Sequence, residues 1–127
     1  MNTLAGVKIK SMSPQFLVKD IERSVEFYNK NFGFAVDFRV EDFYVGLVRD
    51  GYTLHLKSGN PSQEERKNKR HNEDLDVIFT VSDVDALYQE LIAESVEVTQ
   101  PLCERPYGKE FYIADPDVYI LAFLSTH

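Results

Sequence analysis

Few side chains in this 127-residue chain have a type and spacing suited to covalent chemistry. The single cysteine, Cys103, has no histidine near it in sequence, and no serine lies in a nucleophile-elbow context. One cysteine also excludes an internal disulfide and a cysteine-rich zinc site. Glycine-rich phosphate loops are absent. The histidines are scattered: His55 lies on a strand-like stretch, His71 in a charged one, and His127 ends the chain. His71 and His127 are expected to face solvent. Glu110 invites a reading as general base, but nothing around it supplies a proton to abstract, so a structural or ligand-binding carboxylate is expected. The remaining chemistry is that of aromatic rings. The chain is 13% aromatic without tryptophan, so any stacking must come from Phe and Tyr. Tyr107, between Pro106 and Gly108, sits in a loop-like context where an exposed ring needs a reason.

Patterning predicts the elements that position these residues. From about 12 to 34 the chain reads strand, helix, stop. An apolar stretch covers 15–18, Asp20 offers an N-cap oxygen, and Ile21, Val25 and Tyr28 share a helical face flanked by Phe27 and Phe32. Gly33 stops the helix. Three strand-like stretches follow over 34–40, 43–49 and 52–57, turned by Glu41-Asp42 and Asp50-Gly51. Residues 58–74 are polar and contain Gly59 and Pro61. There Arg66, Lys67, Lys69 and Arg70 balance Glu64, Glu65, Glu73 and Asp74, which predicts a mobile connector rather than a nucleic-acid patch. The pattern then restarts: a strand over 75–81, a helix over 84–93 capped by Ser82 or Asp83, and strands over 96–99, 110–114 and 119–124. Asp115-Pro116-Asp117 forms a turn.

Composition narrows the function classes. Fourteen Lys and Arg against 21 Asp and Glu give a net charge of −7, the wrong sign for a phosphate backbone, so no nucleic-acid partner is expected. A negative surface favours cationic ligands. At 43% apolar the chain can fill a core. Its longest apolar run, 118–124, has seven residues, against about twenty for a membrane-spanning helix, so no membrane partner is expected. The opening MNTLAGVKIK lacks the run of a secretory leader. These features predict a single soluble, cytoplasmic domain.

The two halves superpose at an offset of 63 residues. Phe16, Val18, Asp20, Ile21 and Glu22 fall on Phe79, Val81, Asp83, Val84 and Asp85, a shared F-x-V-x-D-[IV]-[ED] in which a strand runs into an acid-capped helix. The expected fold is α+β: tandem βαβββ modules forming a curved mixed sheet around a cleft. Module one spans about 12–58, the connector 59–74 and module two about 75–127.

That order, with Val25-Glu26-Phe27-Tyr28, Gly33-Phe34, Asp37-Phe38-x-x-Glu41-Asp42-Phe43, Val48-Arg49-Asp50, Thr53-Leu54, Pro106-Tyr107-Gly108-Lys109-Glu110-Phe111 and Asp115-Pro116, resembles the vicinal oxygen chelate superfamily. This superfamily contains glyoxalase I, extradiol dioxygenases, fosfomycin resistance enzymes and bleomycin resistance proteins, and the last look nearest. Two departures stand out. The connector is longer and more charged, and Val118 replaces the glycine expected after the D-P turn, implying a differently shaped turn.

By this resemblance, the metal ligands of the enzymatic members fall on Ser13, His55, Asp76 and Ala122. A divalent ion needs three or four deprotonated N or O donors. Ser13 is a poor ligand and Ala122 offers none, so a dismantled site, no cofactor and no catalytic residue are expected. Asp76 then reads as a strand-end carboxylate in solvent. The resemblance also implies a homodimer, with an N-terminal arm exchanged near Pro14, whose grooves bind a flat cationic small molecule between rings. The ligand-binding candidates are Phe38, Phe43, His55, Tyr107, Gly108 and Glu110. Gly108 would admit close backbone approach to the ligand. The competing readings are a metal-dependent lyase, isomerase or dioxygenase with a non-standard site, and a sensing or scaffolding module with another cargo.

Overall fold

The structure, a computed structural model, describes residues 6–126. Residues 1–5, at the head of the stretch read for a leader, and His127 lie outside the described residues. Eleven elements follow in order: β1 (Gln15–Val18), α1 (Ile21–Phe32), β2 (Ala35–Val40), β3 (Tyr44–Arg49), β4 (Tyr52–Ser58), α2 (Gln63–His71), β5 (Val77–Thr80), α3 (Val84–Ala93), β6 (Glu97–Arg105), β7 (Gly108–Ala114) and β8 (Ile120–Thr126). They make two four-stranded sheets, β1-β4-β3-β2 and β5-β8-β7-β6. The first strand of each is parallel to the last, and the other pairs are antiparallel. The expected α+β fold with its repeated strand order is present.

Both long helices begin as their sequences predict. The Asp20 carboxylate accepts the Arg23 amide at 3.1 Å and Asp83 accepts Ala86 at 3.0 Å, each satisfying a donor that the first helical turn leaves free. The helix-bearing faces of the two sheets share one core. Phe32 of α1 stacks on Phe123 of β8 at 4.9 Å, Phe79 of β5 stacks on the same ring at 4.9 Å, and Phe34 meets Phe79 edge-on at 6.3 Å. Alternation then assigns the other face of each sheet. In β8, Leu121 and Phe123 enter the core while Ile120, Ala122 and Leu124 take the open side.

Two expectations fail here. The segment over 59–74 is not a mobile connector. It carries α2, whose N-cap Ser62 accepts the Glu65 amide at 3.2 Å. Its basic residues are not idle charge, because Arg66, Lys69 and Arg70 fall at helical spacing on one side. Arg66 and Lys69 bind Asp76 at 2.8 and 2.7 Å, and Arg70 binds Glu97. Asp76 and Glu97 end one row of the second sheet's open face, Asp76–Ile120–Ala114–Glu97, so α2 lies across that end of the sheet. The strand expected over 96–99 also runs on to Arg105, through Pro101. β6 is an edge strand, where proline's missing N–H forfeits no ladder bond.

The turn 115–119 ties the halves together. Tyr28 donates to Asp115 at 2.6 Å, the Lys19 amide to Asp117 at 3.1 Å, and the Leu17 amide to the Tyr119 hydroxyl at 3.0 Å, which in turn donates to the Leu17 carbonyl at 2.8 Å. Val118 adopts φ +66°, the left-handed conformation a glycine takes without strain.

Relieving that strain should stabilise the fold. Val118→Gly is expected to raise the free energy of unfolding by about 1 kcal/mol, read by urea denaturation. Burial pushes the Asp115 carboxyl up to about 6 despite its three hydrogen bonds. The unfolded value is about 3.9, so between these limits the folded state holds the proton that the unfolded state releases. The Asp115 contribution is therefore full below the lower limit and lost as pH rises through the upper one. Asp115→Asn should flatten that part of the stability profile, read by denaturation at stepped pH.

Candidate functional site

The open face of the first sheet carries a ring cluster built on three strands. Phe38 of β2, Tyr44 of β3 and His55 of β4 project from it, because their neighbours Val45, Leu54 and Leu56 point into the core. Phe38 stacks on Tyr44 at 6.1 Å and meets His55 edge-on at 5.3 Å. Gly46 makes this possible. Phe38 is its partner across the ladder, and a Cβ on Gly46 would lie 2.1 Å from the Phe38 ring, so the ring lies flat over bare backbone. The Tyr44 hydroxyl is 2.9 Å from His55 Nδ1 and accepts from Gln15 Nε2 at 3.0 Å. Ser13 and Thr53 bond to each other beside it. Phe43 is 44% exposed on the turn before β3 and makes no ring contact with the cluster.

A second cluster stands on the open face of the other sheet, around Glu110 of β7. Glu110 is buried, accepting from Tyr107, from Tyr112 at 2.5 Å and from Arg105 Nε at 3.0 Å. Burial pushes its carboxyl up, but those three donors outweigh burial and hold it below the usual carboxylate range. The carboxylate in return raises the Tyr112 phenol, already raised by burial, to about 12. Neither Glu110 nor the phenols have the titration of a general base near neutrality. Tyr107 remains 47% exposed.

Gly108 serves close approach of another strand. At φ +153° its missing Cβ leaves room for the Ser125 carbonyl of β8, which a Cβ would meet at 2.0 Å. The residue is required by strand pairing.

The structure therefore brings Phe38 and His55 together, and Tyr107, Gly108 and Glu110 together. No hydrogen bond, ion pair or ring contact joins the two sets among the described residues. Four members escaped the sequence reading: Gln15, Tyr44, Arg105 and Tyr112. Alternation was the available signal for Tyr112, two residues from Glu110 on one face. Arg105 faces Gly108 across the β6–β7 hairpin, a register that Pro101 conceals in the sequence. A groove of about 520 Å³ between α1 and residues 94–97 and 114–118 lies away from both clusters.

The four positions that resemblance assigns to a divalent ion do not fit one. Ser13 bonds Thr53 and Ala122 has no donor atom, which leaves His55, whose Nδ1 faces the Tyr44 hydroxyl and whose Nε2 has no partner among the described residues. Asp76 is not in solvent. Its side chain is 8% exposed and accepts from Arg66, Lys69 and, at 2.8 Å, the Ile120 amide. Burial pushes its carboxyl up, but those donors hold it below its usual value. Its lone pairs are already directed to cations of the chain. Among the described residues, no three His, Cys, Asp or Glu side chains converge, and no helix is long and apolar enough to cross a membrane.

A model of the Glyoxalase/Bleomycin resistance protein/Dioxygenase superfamily matches residues 12–123. No curated protein matches the sequence. Among solved structures, the bleomycin-binding protein of bleomycin-producing Streptomyces verticillus, complexed with copper(II)-bleomycin, is 24% identical, over 95% of this chain and 99% of that one, with a TM-score of 0.67. TnmS3, an antibiotic binding protein from Streptomyces sp. CB03234, is 18% identical over 95% and 98%, with a TM-score of 0.73. The fosfomycin resistance protein FosX from Listeria monocytogenes is 15% identical over 95% and 96%, with a TM-score of 0.72. At these identities the likeness is one of fold.

Gly46→Ala tests the ring cluster. The clash falls on the far end of a surface ring that can swing aside, so stability should change by less than about 1 kcal/mol. Phe38 should leave His55, seen as lost nuclear Overhauser contacts between the two rings.

Proposed function

Because the chain belongs to the glyoxalase/bleomycin resistance protein/dioxygenase superfamily, we propose that it is a cytoplasmic, dimeric binding protein that sequesters a flat small molecule without a metal ion and without altering it. The observation that carries this reading is the Phe38–Tyr44–His55 cluster, an aromatic surface on a sheet face that no other described element covers. Flat rings hold a planar ligand by stacking, at about 0.5–1.5 kcal/mol per contact beyond the area they bury. Tyr107 supplies an exposed ring on the other sheet, held by its bond to Glu110. The names of the bleomycin-binding protein and TnmS3 support binding of an antibiotic-like cargo.

Metal independence is supported by the engagement of Asp76 with Arg66 and Lys69 and by the methyl group of Ala122. Dimerisation is supported by apolar side chains that one chain leaves in water: Val7, Ile9 and Met12 before β1, and Val36 and Val40 on edge strand β2. A second copy would bury them in an isologous contact. Arg105 neutralises Glu110, so this carboxylate offers no free charge to the cation that net charge and resemblance imply.

Sedimentation should show a dimer at micromolar concentration. Soaking with nickel or manganese, followed by desalting, should leave only trace metal and an unchanged melting temperature. A monomer, or stoichiometric metal with a raised melting temperature, would overturn the corresponding part of the reading. Calorimetric titration with bleomycin decides whether that antibiotic is a cargo; neither heat nor protection of DNA from cleavage would remove it.

A further inference from the structure

The net charge of −7 points to a cationic ligand, yet the two open faces are not acidic. Alternation and register place three carboxylates on them: Asp76, Glu97 and Glu110. Each is paired within the chain, Asp76 with Arg66 and Lys69, Glu97 with Arg70, and Glu110 with Arg105. Among the described residues, β1, β3 and β4 bring no carboxylate to the first sheet's open face; β2 brings Phe38 and Val40, with Asp37 at the bulge between Val36 and Phe38. Along β1, β4 and β3 that face presents Gln15, Thr53, His55, Lys57 and Tyr44. The acidic excess thus lies elsewhere on the surface.

Hydrogen-bond polarity gives the complementary half of the argument. The Tyr44 oxygen accepts from Gln15, which leaves its proton for His55 Nδ1. With Nδ1 accepting, the ring proton of His55 sits on Nε2, which has no partner among the described residues, so His55 offers a donor. Arg105 is the counterpart on the other sheet. Glu110 engages its Nε, and the rest of the guanidinium stays on the exposed side. Tyr107 and Tyr112 both spend their protons on Glu110. The unspent polar groups beside the rings are therefore cationic or N–H donors.

We infer that the ligand of these faces is a planar ring system bearing oxygen acceptors of the carboxylate, phenolate or carbonyl kind, with Arg105 and His55 as the donors that read them. The inference rests on the binding reading above and names its ligand class. A cation placed on these faces would meet donors and leave them unpaired, whereas an oxyanion meets the guanidinium fork in the geometry that suits it best. On each face stacking sets the plane of the ligand, and the donor of that face, His55 or Arg105, sets its edge.

Two probes of one shape and opposite charge, 2-naphthoate and 2-naphthylmethylammonium, test this by calorimetric titration of the whole protein. The carboxylate should bind about tenfold tighter or more, and Arg105→Gln should remove about that factor for naphthoate alone. Nitrogen-15 spectra of the unmodified protein add a readout that needs no variant: naphthoate should shift the His55 Nε2 and Arg105 side-chain signals. Equal or tighter binding of the ammonium, or naphthoate binding that leaves both signals in place, would overturn the inference and spare the binding reading. Failure of both probes to bind at millimolar concentration would overturn the binding reading together with the inference.

Discussion

The free edge of β1 sets the condition that the rest of the chain meets. An edge strand leaves alternate N–H and C=O groups unpaired, and at Leu17 those groups face the other half of the molecule. One hydroxyl answers both: Tyr119 accepts from the Leu17 amide and donates to its carbonyl. To do so its ring stacks on Phe16 at 4.1 Å and nearly parallel, which places Tyr119 in the seam between the two sheets. The turn before it is then shaped to deliver it. Asp115 accepts the Asp117 and Tyr119 amides, and Val118 bears a left-handed backbone. The same turn hands Asp117 to Lys19, Arg23 and Ser24. One satisfied edge thus fixes how the halves meet, and with it which faces of the sheets stay open.

The outer face of Tyr119 is covered as well. The Arg66 guanidinium lies 4.2 Å from its ring centre while reaching Asp76. A buried arginine is tolerable only when its charge is answered, and here a carboxylate and an aromatic face answer it. The consequence reaches beyond packing. The carboxylate that resemblance would give to a metal ion instead anchors an extra helix, and that helix covers one end of the second sheet's open face. An ion at Asp76 would compete with Arg66 and Lys69 of this chain's own connector for the same lone pairs.

Much of this was legible in the residues. The F-x-V-x-D repeat announced two strand–helix units because a strand's alternation and a helix cap leave local marks. Asp20, Gly33 and Asp83 act within a few residues of their own positions. The fate of 59–74 was not legible, because a balanced set of charges looks the same whether it floats in water or is clamped. What distinguishes the cases is the partner, and Asp76 and Glu97 lie beyond the segment itself. Gly108 shows the same limit: its sequence context marks a need for bare backbone, but that Ser125 of another strand approaches it is decided by strand pairing.

By itself the sequence determined the α+β class, the doubled strand order, the helix caps, and the presence of rings where the two open faces would be, since all of these follow from periodicity and short-range chemistry. The tertiary structure alone decided which polar groups remain free beside those rings. Whether Glu110 attracts a cation depends on Arg105, whether Asp76 can bind an ion depends on Arg66 and Lys69, and whether His55 donates depends on Tyr44 and Gln15. A charge or a proton has its meaning only against its neighbours. Most of those neighbours are brought close by strand pairing and helix docking rather than by adjacency in the chain.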